Sequence, residues 1–225
     1  MDWMEVMRAR HSVRSYRDKS IEEEKVRALE EEIAAIPAAG GLAVRLLTEE
    51  PGAFAGDAPR YGAFRGCRNY FVLAGPRDAE EAVGYWGEHL VLRAQALGLN
   101  TCWVVLTYKK GKVPITLRPG EKLHAVIALG YGQTQGTPHR SKPTEALAAC
   151  APDDPAWYRA GVEAALLAPT AVNQQRFFLS REGETVTAKA RPAFHSAMDL
   201  GIVKYHFELA AGKENFRWNG KEERP

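Results

Sequence analysis

Cysteine, net charge and long apolar runs are all scarce in this chain, and each scarcity removes a class of protein. Only three cysteines occur in 225 residues, Cys67, Cys102 and Cys150, with neither a CxxC pair nor metal-ligand spacing. No metal site or disulfide framework is therefore expected, and a reduced, cytoplasmic setting suits them. A net charge of +2 supplies no global field for nucleic acid, so any anion site must come from local clustering. No segment approaches the roughly 18 consecutive apolar residues of a membrane helix. The opening Met1-Asp2-Trp3 lacks a basic region followed by an apolar stretch, so the chain reads as mature and without a membrane partner. Also missing are a GxSxG elbow, a P-loop, an HExxH pair and a GxGxxG after a strand, which leaves the chemistries those motifs serve without support.

What is present suits a folded protein. Hydrophobic residues make up 45% and charged residues 26%, and the length suffices for one large domain or two small ones sharing a core. Asp2 caps a short first helix, after which residues 10–14 are extended. Ser20 with Glu23 forms a capping box for a helix over 21–35, stopped near Pro37 and released by Gly40-Gly41 into a strand at 43–47. A loop over 51–66 precedes a buried strand at 70–74. The helix at 79–97 closes at Gly98, and buried strands at 101–106 and 123–129 flank a loop carrying Lys109, Lys110 and Lys112. Between 130 and 155 the composition turns to Gly, Pro and polar residues, so a boundary near 150 divides the chain into 1–150 and 151–225. Asp154 as N-cap with Pro155 at the first helical position starts a helix reaching about Ala168, ended by Pro169. A hairpin at 176–179 and 185–190, a helix at 194–211 stopped by Gly212, and a tail at 216–218 that is either a short strand or an arm packed on the body complete the pattern.

Two segment pairs echo one another, with chance as the competing reading because helix, proline, strand is a common succession. IAAIPAAGGLAVRLL at 33–47 aligns with ALLAPTAVNQQRFFL at 165–179 when Pro37 is set on Pro169, and GEHLVLRAQALG at 87–98 aligns with GIVKYHFELAAG at 201–212. The first reads in both copies as helix, proline, small residues, strand; the second as a helix closed by glycine. Only the later copy of the first pair carries polar groups, Thr170, Asn173 and Gln174, where the earlier has Ala38, Gly41 and Leu42.

In an extended segment alternate residues share a face, so Arg10, Ser12 and Arg14 can converge on one anion, and forked guanidiniums suit phosphate oxygens. A solvated basic patch is the competing reading. His139-Arg140-Ser141-Lys142 could add a second cationic arm. The amides and hydroxyl of residues 170–175 are costly to bury unpaired, so they either satisfy their own turn or read the edge of a heterocycle. Cys102, in a buried strand, reads as inert, and the helical His89, His195 and His206 as surface or satisfied groups.

Taken together, RHSVRSY resembles the flavin-phosphate motif of FMN-dependent nitroreductases and APTAVNQQ resembles their PSxxNxQP turn. EHLVLRAQALGLNTCWV resembles their central helix and following strand, and ALGYGQTQGTPHRSKP their late strand and basic segment. The order differs: the polar turn, early in ordinary members that bind FMN across a homodimer, comes late here, as in the branch whose single chain mimics the dimer. The resemblance implies an α+β nitroreductase-like fold, a mixed sheet flanked by helices, and a pseudo-two-fold relating two minimal halves of a monomer. It also implies one FMN per chain and hydride passing from NADH or NADPH through FMN to a nitroaromatic, a quinone or another small-molecule acceptor. Arg10, His11, Ser12 and Arg14, with Arg140 and Lys142, would hold the phosphate and ribityl chain; Thr170, Asn173 and Gln174 would approach from the other half. A strand of Trp103, Val104, Val105 and Leu106 would lie against the ring, and no side-chain acid–base pair is expected because the flavin carries the redox step. A flavin-binding store or sensor without turnover is the alternative, and a nucleic-acid module using Arg8, Arg10, Arg14 and the lysine loop is disfavoured by the charge balance.

Overall fold

The structure, a computed structural model, describes residues 1–38, 41–55 and 63–220. In chain order its elements are α1 (Trp3–Ala9), α2 (Glu23–Ala34), β1 (Ala43–Leu47), β2 (Asn69–Pro76), α3 (Glu80–Ala96), β3 (Asn100–Val104) and β4 (Glu121–Gly130). They are followed by α4 (Thr144–Leu147), α5 (Ala156–Ala165), β5 (Phe177–Glu182), β6 (Thr185–Ala190), α6 (Ser196–Ala211) and β7 (Arg217–Trp218). The expected α+β class is observed. The strands form two sheets, an antiparallel one of order β1-β2-β4-β3 and a mixed one of order β5-β6-β7, in which β7 runs parallel to β6.

The chain divides into two compact units, both discontinuous. One comprises residues 9–79 and 90–138; the other comprises 1–8, 80–89 and 139–225. The first unit is built on the antiparallel sheet. β2 is buried at every position but the last and β4 at all but its first two, as expected of central strands covered on both faces. Register sets Tyr70 opposite Ala128, Val72 opposite Val126, Cys102 opposite Ala128 and Val104 opposite Val126. These residues line one face and pack with Val13, Tyr16, Phe64 and Leu123 into a single apolar cluster.

The second unit is built on α5, α6 and the first half of α3. α6 is buried nearly all round. It approaches α3 so closely that a Cβ on Gly84 would stand 1.9 Å from the Met198 carbonyl oxygen, and one on Gly201 1.9 Å from the Glu81 carbonyl oxygen. The contacts are exchanged: Glu81 and Gly84 meet Gly201 and Met198, and one turn further Glu88 meets His206 while His89 meets Tyr205. The polar groups inside are satisfied. His206 donates from Nδ1 to the Ala164 carbonyl, which can only accept, and holds Glu88 at 2.9 Å from Nε2. Glu208 accepts from Tyr85, Trp218 and Lys213.

Several element ends depart from the sequence reading. Asp2 does cap α1, accepting from the Met4 and Glu5 amides at 2.9 and 3.3 Å. Ser20 does not cap α2. The cap position is Glu22, without a side-chain cap bond, because its carboxylate is drawn to Lys19 and Tyr131. Asp154 is not the cap of α5 either: Pro155 is, and the Asp154 carboxylate accepts instead from the Ala151 amide and from Arg181. β3 ends at Val104, its last pair being with Val126, so Val105 and Leu106 lie beyond the strand and Leu106 is 72% exposed. Ala39 and Gly40, in the expected turn after α2, and residues 56–62 of the expected loop lie outside the described residues.

Candidate functional site

In the first unit, residues 12–16 form an extended segment fastened on three sides. Ser12 pairs in parallel with Thr101, and the Val13 amide donates to the Thr101 carbonyl at 3.0 Å. Ser15 pairs in parallel with Arg65, whose amide donates to the Arg14 carbonyl at 2.9 Å and whose carbonyl accepts from Tyr16 at 2.8 Å. On the third side the Gln133 amide donates to Ser15 and the Arg17 amide to Tyr131, both at 2.8 Å. Gly66 makes this closeness possible: it has φ +65, and a Cβ there would stand 2.6 Å from the Tyr16 carbonyl oxygen.

Pleating turns Val13 inward and leaves Ser12 and Arg14 exposed; the alternation breaks after Ser15, and Tyr16 joins Val13 in the apolar cluster. Together with Val13, Ser15, Ala63, Arg65 and Thr134 they border an open recess of about 340 Å³. Two of the sequence-predicted residues, Ser12 and Arg14, are thus brought together there. Arg10 is not: it follows the end of α1, one step before the pairing with Thr101 begins, and at 5% exposure it is buried outside the recess lining. His11 sits beside this segment, with Nδ1 3.1 Å from the Gln135 carbonyl oxygen.

The thiol of Cys102 registers the field beneath the recess. Burial pushes it up, while the Arg14 charge, a hydrogen bond with Ser12 and the Arg10 charge pull it back. Of the ring-facing residues expected from the sequence, Val104 belongs to the apolar cluster and Trp103 is half-buried on the opposite side of β3.

In the second unit the remaining predicted residues come together around residues 170–175. Thr170 Oγ1 accepts from the Gln175 amide at 3.0 Å, and Asn173 Nδ2 donates to the Arg140 carbonyl at 3.0 Å. Gln174 Nε2 donates to the Phe194 carbonyl and to Asp199 Oδ2, both at 2.7 Å. Lys142 Nζ donates to the Gln174 carbonyl at 2.6 Å. These amide donors and the Lys142 ammonium thus serve the turn's own framework. The Arg140 side chain is exposed and makes no ion pair among the described residues. The turn is strained, since Val172, Asn173 and Gln175 have φ of 45, 54 and 46°, a region that a β-branched residue such as Val172 rarely enters.

Two participants were missed from sequence. Asp199 anchors the turn by accepting from the Ala171 amide at 2.9 Å as well as from Gln174. Burial pushes its carboxyl up to about 6, against the opposing pull of those two hydrogen bonds. An acid in the first turn of a largely buried helix was the available signal. Arg65 had none, because its place beside Arg14 comes from pairing with a segment distant in sequence.

A family model described as "Putative TM nitroreductase" matches residues 2–211. Among solved structures, a protein of the same description from Thermotoga maritima is 21% identical, with a TM-score of 0.66 over 100% of this chain and 90% of that one. Another such protein, from Desulfovibrio desulfuricans and in complex with FMN, is 20% identical, with a TM-score of 0.50 over 69% of this chain and 98% of its own. A Parabacteroides distasonis protein, similarly qualified and described as an NADH dehydrogenase/NAD(P)H nitroreductase, is 22% identical, with a TM-score of 0.50 over 64% of this chain and 94% of its own. No curated protein matches the chain.

Proposed function

The chain belongs to this nitroreductase family, and on that footing we propose that it is an FMN-dependent oxidoreductase carrying reducing equivalents from NADH or NADPH to a small acceptor such as a nitroaromatic or a quinone. The observation that carries the reading is the joint presentation of Ser12 and Arg14 at a positively charged recess, in the segment where the flavin-phosphate motif falls. That recess, with guanidinium and hydroxyl groups on its wall, fits the phosphate end of FMN. When bound, FMN supplies the hydride chemistry.

The chain's own residues bind and orient. Ser12 and Arg14 hold the anionic end, with Arg10 and His11 supporting the segment, and Arg140 adds an exposed cation. Residues 170–175 supply a turn whose shape is fixed by Asp199, Gln174 and Lys142 before any ligand arrives, so little ordering cost is left for binding. Thr170, Asn173 and Gln174 remain the proposed contributors from that turn, and Trp103 and Val104 those from β3.

We further propose that 1–150 and 151–225 are related halves. The succession α2-β1-β2-α3-β3 is repeated by α5-β5-β6-α6-β7, and Gly98 and Gly212 close α3 and α6 with the same φ of +76°; the exchanged contacts between those helices pair Gly84 with Gly201, a two-fold about one turn out of step with the glycine stops. Among the described residues no helix is long and apolar enough to cross a membrane. With all three cysteines free, we place the protein in the cytoplasm.

The test is direct. FMN added to the purified chain should be quenched at one equivalent, bleached anaerobically by NADH or NADPH, and reoxidised by a nitroaromatic or quinone. Quenching without bleaching would favour the storage or sensor alternative, and an Arg10→Ala, Arg14→Ala variant that binds FMN as tightly as the parent would refute the cradle.

A further inference from the structure

The recess beside Ser12 holds more positive charge than the Arg10-to-Arg14 motif supplies, because Arg65 also lines it. The Arg65 main chain is locked to Arg14 and Tyr16 by the two hydrogen bonds that pair it with Ser15, which fixes the root of its side chain beside Ser15, at the recess that Arg14 also lines. Neither Arg14 nor Arg65 has a carboxylate partner among the described residues. Other arginines of the same unit show the contrast: Arg68 is paired with Asp18 and, at 2.9 Å, with Glu49, and Arg93 with Glu32 at 3.1 Å. The same lining carries the hydroxyls of Ser15 and Thr134, together with Ser12, whose hydroxyl also serves the Cys102 thiol, and no acidic residue among the described residues. Thr134 accepts from the Gly136 amide at 3.3 Å, which leaves its own proton available to donate.

Two forked cations and hydroxyl donors lining one recess match a phosphate monoester, whose charge at neutral pH lies between one and two and whose three oxygens can each take a donor. A monoanionic carboxylate would engage one fork and leave the other cation unanswered. We infer that this recess is a phosphate-monoester site in which Arg65 supplies the second guanidinium and discriminates phosphorylated from unphosphorylated ligands. The inference rests on the flavoenzyme reading only for the source of the phosphate, which is either the 5′-phosphate of FMN or the 2′-phosphate of NADPH.

Arg65→Gln and Arg65→Lys test it. The side chain is exposed and the bonds that hold the segment are main-chain, so both variants keep the fold, which circular dichroism verifies. FMN and riboflavin affinities are read by fluorescence quenching, KM for NADPH and NADH by turnover, and inorganic phosphate binding by ³¹P line broadening. Loss of one charge-assisted contact weakens binding about 10- to 100-fold in Arg65→Gln, with Arg65→Lys between it and the parent. If FMN weakens by that factor and riboflavin stays within about twofold, the site takes the flavin phosphate; if KM for NADPH rises alone, it takes the dinucleotide phosphate. Equal weakening of FMN and riboflavin, or no change in any of these affinities, overturns the inference. Should the parent bind no flavin and oxidise no nicotinamide, the functional reading fails and the phosphate titration decides alone. Broadening by the parent that Arg65→Gln abolishes then supports the site, and its absence in the parent overturns it.

Discussion

Replacing Asp199 by asparagine separates the two forces acting on the anchor of the 170–175 turn. Asp199 is 5% exposed, and both carboxylate oxygens accept hydrogen bonds, from Ala171 and from Gln174. Those donors favour the anion and burial opposes it; burial wins, lifting the group from 3.8 to about 6. A folded value above the unfolded one means that the native chain binds this proton more tightly. The stabilisation is therefore fully present below about pH 4 and is lost as pH rises through about 6. A gap of about two units corresponds to about 3 kcal/mol. Asp199→Asn cannot ionise. It keeps an acceptor for Ala171 but turns its amide toward the Gln174 donor, a pH-independent loss of about 1–3 kcal/mol. Urea unfolding of both proteins at pH 4, 5, 6 and 7 should show the variant's relative stability climbing by about 2.5 kcal/mol across that range, with the titration of other carboxylates cancelling in the difference. A difference flat to within about 0.5 kcal/mol would refute a buried, ionising Asp199.

Four further outcomes follow from the packing and the thiols. Gly84→Ala and Gly201→Ala each drive a methyl against a main-chain carbonyl and should cost about 3 kcal/mol or more in thermal unfolding; a loss below about 1 kcal/mol would contradict so close an approach of α3 and α6. Glu88→Ala strips His206 of its fully buried partner and should cost about 3–5 kcal/mol in urea, with little sensitivity to salt, so a neutral result would show that the pair is replaceable. Cys150 is exposed, whereas burial pushes the Cys67 thiol up to about 12 and raises Cys102; Ellman's reagent should therefore titrate one thiol quickly in the native protein and the others only on unfolding. Val172→Gly should raise the melting temperature through relief of about 1 kcal/mol of left-handed strain at an exposed position, and a marked fall would show that the valine side chain is needed.

The parts legible in sequence were those decided by local chemistry. Glycine stops α3 and α6 at Gly98 and Gly212, and both adopt the positive φ that the reading assumed. Strands β1, β2, β4, β5 and β6 were marked by apolar runs between turn residues, because burial and breakers act over a few residues. The failures share a cause. Asp154 had the right chemistry to cap but is claimed by Arg181, and Ser20 stands two residues before the cap position Glu22, whose own carboxylate is taken by Lys19 and Tyr131. Local propensity proposes a cap; a distant partner decides where the carboxylate goes.

The site divides along the same line. Ser12 and Arg14 share a face because alternation is a property of any extended segment, and that much needed no tertiary information. Arg10 fell outside because the pairing that extends the chain starts only at Ser12, and Arg65 fell inside because that same segment recruits it through Ser15. A motif five residues long can therefore name the chemistry of an anion site, yet its membership is settled by which strands come to lie beside it. It follows that a relative retaining RHSVR but lacking an arginine opposite Ser15 should keep flavin binding while losing preference for the phosphorylated form, the same separation that Arg65→Gln is designed to produce in this chain.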